Sequence, residues 1–269
     1  MYERREIYPN PPLQLVVAEV RYPASPRLRH EDTLDRLRLA LEDILPIQRR
    51  EQTVELEITD EGSQTSRTLE LFRLTNREST ISAAITQGAT IFESTFYTEF
   101  SEFRRLIRRV LEVLADQSLI PAIERLGLRY IDEIRVPGKI RDAADWSEWV
   151  SPELVAMAGP WRDNAARSFQ SVVTYSIGPD MGMNFRCIAA EGPGVFVKGT
   201  VLKPRRQKAS GPYFVLDIDS YWEASETSEA RKFDVEGTVE LFDRLHAPTG
   251  KRFQDALNDR SRAVFRGDI

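Results

Sequence analysis

Hydrophobic and polar residues alternate along much of the first hundred positions in the manner of short β-strands. The segment Leu13–Tyr22 is rich in β-branched and aromatic residues and is bordered by prolines, so it predicts a strand. Four further runs are separated by turn-forming residues at hairpin lengths and predict an antiparallel meander. These runs are Thr53–Thr59, Thr68–Leu74, Thr80–Thr86 and Thr90–Tyr97.

Two segments in the same part of the chain have apolar residues at helical spacing. Leucines and Ile44 recur every three or four positions from His30 to Leu45, and Pro46 follows, so a helix is predicted to end before the proline. The segment Ser101–Asp116 has one apolar side and one side that carries four arginines. The pattern predicts two amphipathic helices, one after the first strand and one after the meander.

The second part of the chain repeats this order of predicted elements. It has a strand at Arg125–Val136, a helix at Asp145–Ala158, strands at Ser168–Ile177, Met183–Ala190, Val195–Leu202 and Pro212–Tyr221, and a closing helix at Phe233–Asn258. A kink is predicted near Pro248 and Gly250. The sequence therefore predicts an α+β fold of duplicated β-α-β4-α halves, residues 1–120 and 121–269, with antiparallel sheets and helices packed on one face. The alternative is one continuous domain.

Composition narrows the classes of function. Of the 269 residues, 41% are hydrophobic and 29% are charged, as in ordinary globular proteins. The formal net charge of −5 excludes a globally basic nucleic-acid binder and leaves room for a local basic patch. A single cysteine excludes an internal disulfide and a multi-cysteine metal site. No signal peptide and no run of about 20 apolar residues is visible, so we expect a cytoplasmic protein without a membrane partner.

Five short segments carry a family resemblance. They are Tyr8–Pro12 (YPNPP), Glu19–Tyr22 (EVRY), Gly127–Asp132 (GLRYID), Leu216–Asp219 (LDID) and Leu245–His246 (LH). With them the chain resembles a sporadically distributed bacterial family of uncharacterised proteins. That resemblance implies a mobile bacterial gene acting with its neighbours in a defence system, such as phage defence, or in a regulatory system, and it supplies no catalytic residue. The order of elements is also similar to the duplicated fold of TATA-binding proteins, in topology only.

Motifs for catalysis are missing from the sequence. It contains no glycine-rich phosphate loop, no GxSxG and no HExxH, and it has two histidines. His246, near the buried side of the closing helix, is interpreted as a packing residue, with a general base or ligand as the alternative. Cys187 is interpreted as a small core residue. These observations favour a non-enzymatic binding or interaction subunit without cofactor or metal, whose partner is another protein or a second copy of this chain.

Two clusters of basic residues are candidates for binding a nucleic acid or an acidic partner. One is on a predicted hairpin tip, where positive charge is dense, and the other is the outer side of the second helix. Contacts from such residues to phosphates position a nucleic acid without reading its sequence. The alternative is that both clusters are solvated surface charge. The candidates are Lys198, Lys203, Arg205, Arg206, Lys208, Arg104, Arg105, Arg108 and Arg109.

Tryptophans cluster in the middle of the chain. Trp146, Trp149 and Trp161 lie within a short segment. Tryptophans on an amphipathic segment often anchor a protein interface. Packing in the core is the alternative.

Two aspartates on one predicted strand give the least favoured hypothesis, a Mg²⁺-dependent hydrolase. Asp217 and Asp219 are two positions apart, so their side chains share a face of the strand. Paired carboxylates hold Mg²⁺ or divide acid and base roles, and Glu19 and Asp132 are further acids that could join them. The favoured interpretation is a ladder of alternating charge on the solvated sheet face, in which the acids pair with arginines such as Arg129.

Overall fold

The computed structural model describes residues 6–58, 64–159, 164–195, 201–206, 209–224 and 231–269. It is a mixed α+β protein with a nine-stranded antiparallel sheet on which helices pack, as the sequence predicted. The strands are β1 Leu13–Arg21, β2 Ile47–Ile58, β3 Gln64–Thr75, β4 Ile81–Ile85, β5 Ala89–Ser94, β6 Ala122–Ile123, β7 Arg125–Ile134, β8 Phe169–Gly178, β9 Met181–Glu191, β10 Pro212–Glu223 and β11 Arg231–Lys232. The α-helices are α1 Glu31–Ala40, α2 Phe100–Asp116, α3 Val235–Ala256 and α4 Asp259–Arg266.

The strand order places the two opening strands at the centre of the sheet. The order is β2-β3-β4-β5-β1-β7-β10-β9-β8, and β6 pairs separately with β11. Strands β1 and β7 are antiparallel neighbours. On one side of this pair, β1 is followed outward by β5, β4 and β3. On the other side, β7 is followed outward by β10, β9 and β8, so on both sides the latest of these three strands in the sequence lies nearest the centre. In the described part of the chain, the first side alone has a further strand, β2.

Two elements predicted for the second part of the chain differ in the structure. The segment predicted as a helix forms two 3₁₀ helices, Ala143–Glu148 and Pro152–Ala158. Pro152 has no amide hydrogen and fixes its own backbone angle, so it starts a new turn instead of continuing a helix. Of the predicted strand Val195–Leu202, residues 196–200 lie outside the described residues, and the remaining three are not in a strand. Strand β9 pairs directly with β10.

The closing helix also differs from its prediction. Helix α3 continues through Pro248 and ends at Ala256. A separate helix, α4, then begins, and its N-cap Asn258 accepts a hydrogen bond from the Ser261 amide at 3.1 Å. An asparagine side chain in this position satisfies an amide that the helix itself leaves without an acceptor. None of the helices in the described ranges is long and apolar enough to cross a membrane.

The core lies between the sheet and the helices. Helix α2 buries Ile107, Val110 and Leu114 completely, and α3 does the same with Phe242 and Leu245. Complete burial of such a side chain contributes about 1.5–3 kcal/mol. The opposite face of the sheet holds ion pairs and a small apolar cluster made by Leu15, Ile131 and Val215. The two faces of the sheet therefore differ in chemistry, and each strand contributes to both.

Candidate functional site

A cavity of about 200 Å³ lies on the helix side of the sheet. It is enclosed by the N-terminal segment 6–13, the connection from β5 to α2, strand β7 and helix α3. We call it the Asp132 cavity. Its lining includes Tyr8, Tyr97, Phe100, Tyr130, Asp132 and His246.

The alternation of strand β7 directs Asp132 toward the helices. Tyr130 and Asp132 are two positions apart, so they share a face, and Tyr130 belongs to the core under the helices. In the sheet, Asp132 pairs with Leu13 of β1 and with Leu216 of β10. Both neighbours are buried and apolar. The sequence thus places one acidic side chain between two leucines on the core face.

Asp132 is the most unusual ionisable group of this face. Its exposed fraction is 3%, and the structure gives its carboxyl no hydrogen bond and no ion pair with any described residue. Burial, reinforced by the negative charge of Asp217, raises the pKa of Asp132 to about 8, because an apolar surrounding disfavours the charged form. The carboxyl is therefore mostly protonated at neutral pH, and it can donate a hydrogen bond as well as accept one.

His246 lies on the wall formed by α3, in a network of rings. Its imidazole stacks on Phe100 with ring centroids 4.1 Å apart and an interplanar angle of 11°. Its Nδ1 lies 3.1 Å from the Tyr130 hydroxyl, which is 3.4 Å from the Tyr97 hydroxyl. The packing role predicted for His246 is present, and the same side chain also lines the cavity. Asp132 shares the cavity with it, whereas Asp217 and Asp219 do not line this cavity.

The N-terminal wall is fastened to the last two helices. The Tyr8 hydroxyl accepts a hydrogen bond from the Arg262 guanidinium at 3.0 Å and donates one to Gln254 at 3.3 Å. The Tyr8 ring meets Phe265 edge-on, and the Asn10 amide donates to the Phe265 carbonyl oxygen at 2.9 Å. The prolines that follow restrict the backbone further. This wall is therefore held in place by several independent contacts.

Asp217 and Asp219 lie on the opposite, open face of the sheet. The Arg129 guanidinium donates two hydrogen bonds of 2.7 Å to the Asp217 carboxylate, and Arg186 adds a third at 3.3 Å. Arg125 lies 3.9 Å from Asp219. These arginines neutralise both acids in the way that the predicted charge ladder requires.

Glu19 and Asp132 are separated by the sheet. Glu19 belongs to the ladder of the open face, where it pairs with Arg21 at 3.0 Å and Arg125 at 2.9 Å. Asp132 faces the helices and does not join these acids. Within the described residues, no group of three or more His, Cys, Asp or Glu side chains is placed to hold a metal ion.

The arginines of helix α2 are mostly engaged with neighbouring elements. Arg104 donates two hydrogen bonds to Asp243 of α3, at 2.8 and 2.9 Å. Arg108 pairs with Glu236, and Arg109 donates to the Ala40 carbonyl oxygen at 2.8 Å. Arg105 stays exposed beside Glu102. The neighbouring acids of α3 therefore offset much of the positive charge of this helix face.

Residues 201–206, which lie between β9 and β10, contact the first part of the chain, whereas the sequence placed them on a hairpin tip. The Lys203 amide donates to the Ser79 carbonyl oxygen at 2.7 Å. Arg205 donates to the Tyr97 carbonyl oxygen at 2.7 Å, and Arg206 donates to the Pro11 carbonyl oxygen at 2.9 Å. The Lys203 side chain is exposed. Lys198 and Lys208 lie outside the described residues.

Two of the predicted interface tryptophans and the cysteine are buried in the core. Trp146 is 1% exposed and Trp149 is 2% exposed, and both belong to the core beside β9 and β10. Trp161 lies outside the described residues. Cys187 is buried, as predicted, and burial raises the pKa of its thiol to about 12. The two tryptophans thus stabilise the fold from within and are not offered to a partner.

No protein-family model and no curated protein matches the chain. Three of the five segments that carry the family resemblance do contribute to the Asp132 cavity: Tyr8–Pro12, Gly127–Asp132 and Leu245–His246.

Proposed function

We propose that this protein is a non-enzymatic binding subunit that holds a small molecule in the Asp132 cavity. The observation that carries this proposal is the buried Asp132 carboxyl, which lines the cavity and has no partner in the described residues. A buried polar group without a hydrogen bond costs about 1–3 kcal/mol. A ligand that supplies the missing partner recovers this cost. A concave, mostly apolar pocket with a few polar groups is also the usual form of a ligand site.

Binding fits the lining better than catalysis does. The Thr249 hydroxyl shares a hydrogen bond with the Ser220 hydroxyl and donates one to the Leu245 carbonyl oxygen. Gln254 is used by Tyr8 and Arg262. A reaction needs a nucleophile or a matched acid and base around the substrate. In the described lining, Asp132 is the one side chain with polar atoms that has no hydrogen bond or ion pair to a described residue.

The test is a ligand-observed NMR screen with aromatic fragments of three charge classes, namely benzyl alcohol, benzylamine and benzoate derivatives. We expect fragments of at least one class to bind the wild-type protein. The variant Thr98→Trp, which places a large side chain at the exposed rim of the cavity, should weaken that binding. The matched control is Leu39→Trp, at an exposed position of helix α1, and it should bind as the wild type does. Absence of binding in all three classes would refute the proposal.

Association with another protein strand is a second candidate, favoured by strand β8. In the described part of the chain, β8 pairs on one side only, with β9, and it exposes the side chains of Val172 and Val173 by 49% and 44%. An edge strand of this kind is a template for pairing with another chain. Light scattering of the wild type and of Val172→Lys tests this candidate, since a charge on the edge should dissociate an assembly formed there. A wild type that is monomeric at every concentration, and that retains no partner from its host, would remove it.

A further inference from the structure

We propose that the Asp132 cavity binds a small organic cation, a protonated amine whose ammonium group contacts the Asp132 carboxyl while its apolar part packs on the aromatic rings. This inference rests on the proposed function, because it names the ligand class of the same cavity. It follows from the depth of Asp132, from the rings around it and from the charges of the lining.

The position of Asp132 calls for a partner that brings its own hydrogen-bond donors. The carboxyl is 3% exposed and lies between Leu13 and Leu216 of the neighbouring strands. Buried carboxylates in proteins are normally paired, as Asp217 is on the other face of the same sheet. An ammonium group carries three donors and a positive charge, so it supplies an ionised carboxylate with both a hydrogen bond and a counter-charge.

Aromatic rings make the lining suitable for a cation. Tyr8, Tyr97, Phe100, Tyr130 and Phe253 all line the cavity. The face of an aromatic ring attracts a cation through its quadrupole, and the attraction grows when water is excluded. The same rings provide the apolar contact area that an organic amine needs. A cavity of about 200 Å³ accommodates a single-ring amine, since an engineered cavity of about 150 Å³ in another protein binds benzene.

The charges of the lining favour a cation over an anion. Among the residues that the structure describes, three acids line the cavity: Glu6, Glu99 and Asp132. Arg205 also lines it, but its guanidinium donates to the Tyr97 carbonyl oxygen and lies over the Phe96 ring, 5.2 Å from the centroid. Glu6 is paired with Arg266 at the rim. An anionic ligand would lose its hydration beside the Asp132 carboxyl, which in its protonated form offers one hydrogen bond and no positive charge.

Binding of a cation at this carboxyl must release a proton. The free Asp132 carboxyl is mostly protonated at neutral pH, since its pKa is raised to about 8, and a nearby ammonium group favours the ionised form. Below about pH 8, the affinity for an amine that stays protonated should therefore rise about tenfold per pH unit. Among the described residues, the other titratable and charged groups around Asp132 are Tyr8, Tyr97, Tyr130, His246, Glu6, Glu99 and Arg205 on the lining elements, and Asp217 with Arg129 and Arg186 on the opposite face of the sheet.

The experiment uses benzylamine and its neutral analogue benzyl alcohol as probes of the full chain. Isothermal titration calorimetry between about pH 6 and about pH 8, in two buffers of different ionisation enthalpy, measures the affinities and the number of protons released. We expect benzylamine to bind at least tenfold more tightly than benzyl alcohol near pH 8, and to release close to one proton near pH 6. The affinity for benzyl alcohol should not increase with pH.

Two variants connect the effect to Asp132. Asp132→Asn should remove the preference for benzylamine and its proton release, while benzyl alcohol still binds. The control Asp243→Asn, an exposed aspartate of α3 outside the lining, should leave the preference unchanged. The cation inference would be overturned if benzylamine and benzyl alcohol bound the wild type equally at every pH, or if Asp132→Asn kept the preference. A screen in which neutral or anionic fragments alone occupy the cavity would overturn this inference and leave the proposed function standing.

Discussion

Asp132 and Asp217 are two buried aspartates on adjacent strands, and they differ in the charged partners that the described residues supply. Asp217 faces the open side of the sheet, where Arg129 and Arg186 bind its carboxylate. Asp132 faces the helices and has no such partner among the described residues, although its exposed fraction of 3% is even lower than the 7% of Asp217. The comparison teaches that burial alone does not set the charge state of an acid. Arginines contact the Asp217 carboxylate, whereas the described residues supply no cation to Asp132, and burial raises the pKa of its carboxyl.

The largest effect should come from replacing the titratable carboxyl of Asp132 with an amide that cannot ionise. Asp132→Asn should raise the free energy of unfolding at neutral pH by about 4 kcal/mol. An acid whose pKa is about 8 in the folded protein and about 4 in the unfolded chain contributes most stability below about pH 4, and this contribution is lost as the pH rises toward about 8.

Urea unfolding of Asp132→Asn and wild type at several pH values measures this difference. Asparagine does not titrate, so the advantage of the variant should grow from about pH 4 to about pH 8 and disappear below that range. A variant that is less stable than the wild type by the same amount at every pH would contradict the prediction.

On the open face of the sheet, removal of a charged partner should lower the free energy of unfolding. Arg129→Ala removes two hydrogen bonds from the buried Asp217 carboxylate. It should lower the free energy of unfolding by about 2 kcal/mol, less than for a fully buried pair, because Arg186 remains and the Arg129 side chain is 41% exposed. In an Asp217→Asn background, the same substitution should lower the free energy of unfolding by much less. This double-mutant cycle is the control. Equal costs in the two backgrounds would mean that Arg129 does not act through Asp217.

A smaller effect is expected at the ring network of the cavity. Tyr130→Phe removes the hydroxyl next to His246 Nδ1 and should lower the free energy of unfolding by about 1 kcal/mol. Because the ring itself is kept, the packing on Tyr97 should persist. NMR signals of the His246 imidazole should move in this variant. If they stay in place, the hydrogen bond is not formed in solution.

The smallest effect should come from the exposed pair of Arg104 and Asp243, whose side chains are 31% and 42% exposed. Arg104→Ala should lower the free energy of unfolding by less than about 1 kcal/mol, because water and salt already screen such a pair. Arg105→Ala, at an exposed neighbouring position, is the matched control and should change it even less. A loss as large as that of Arg129→Ala would show that burial is not what distinguishes the two pairs.

Local patterns in the sequence predicted most of the fold, and the misses have physical causes. The apolar side of α2 and the alternation of β7 were sufficient to place both elements. The 3₁₀ helices were missed because apolar spacing does not distinguish them from an α-helix, although Pro152 was a signal for a break. Helix α4 was missed because the predicted closing helix ended at Asn258 and no element was assigned to the residues after it, although asparagine is a typical N-cap residue.

The site was harder to predict than the fold. The alternation of Leu126, Leu128, Tyr130, Asp132 and Ile134 along β7 was a signal that Asp132 faces the core. Asp132 was instead grouped with Asp217 because both acids lie on predicted strands. The cavity itself depends on long-range packing, since Tyr8, Tyr97 and His246 come from distant parts of the chain. Sequence spacing alone carries no information on such convergence.

The pairing of β1 with β7 at the centre of the sheet has a consequence for synthesis on the ribosome. Val16 of β1 pairs with Tyr130 of β7. One edge of β1 therefore stays unpaired until a strand more than a hundred positions later has been synthesised. At about 5–20 residues per second, that delay is on the order of ten seconds. During this interval the nascent chain presents an unpaired strand edge to its surroundings. Because this pairing joins residues far apart in the sequence, we expect the sheet to fold slowly and the nascent chain to need chaperones at this stage.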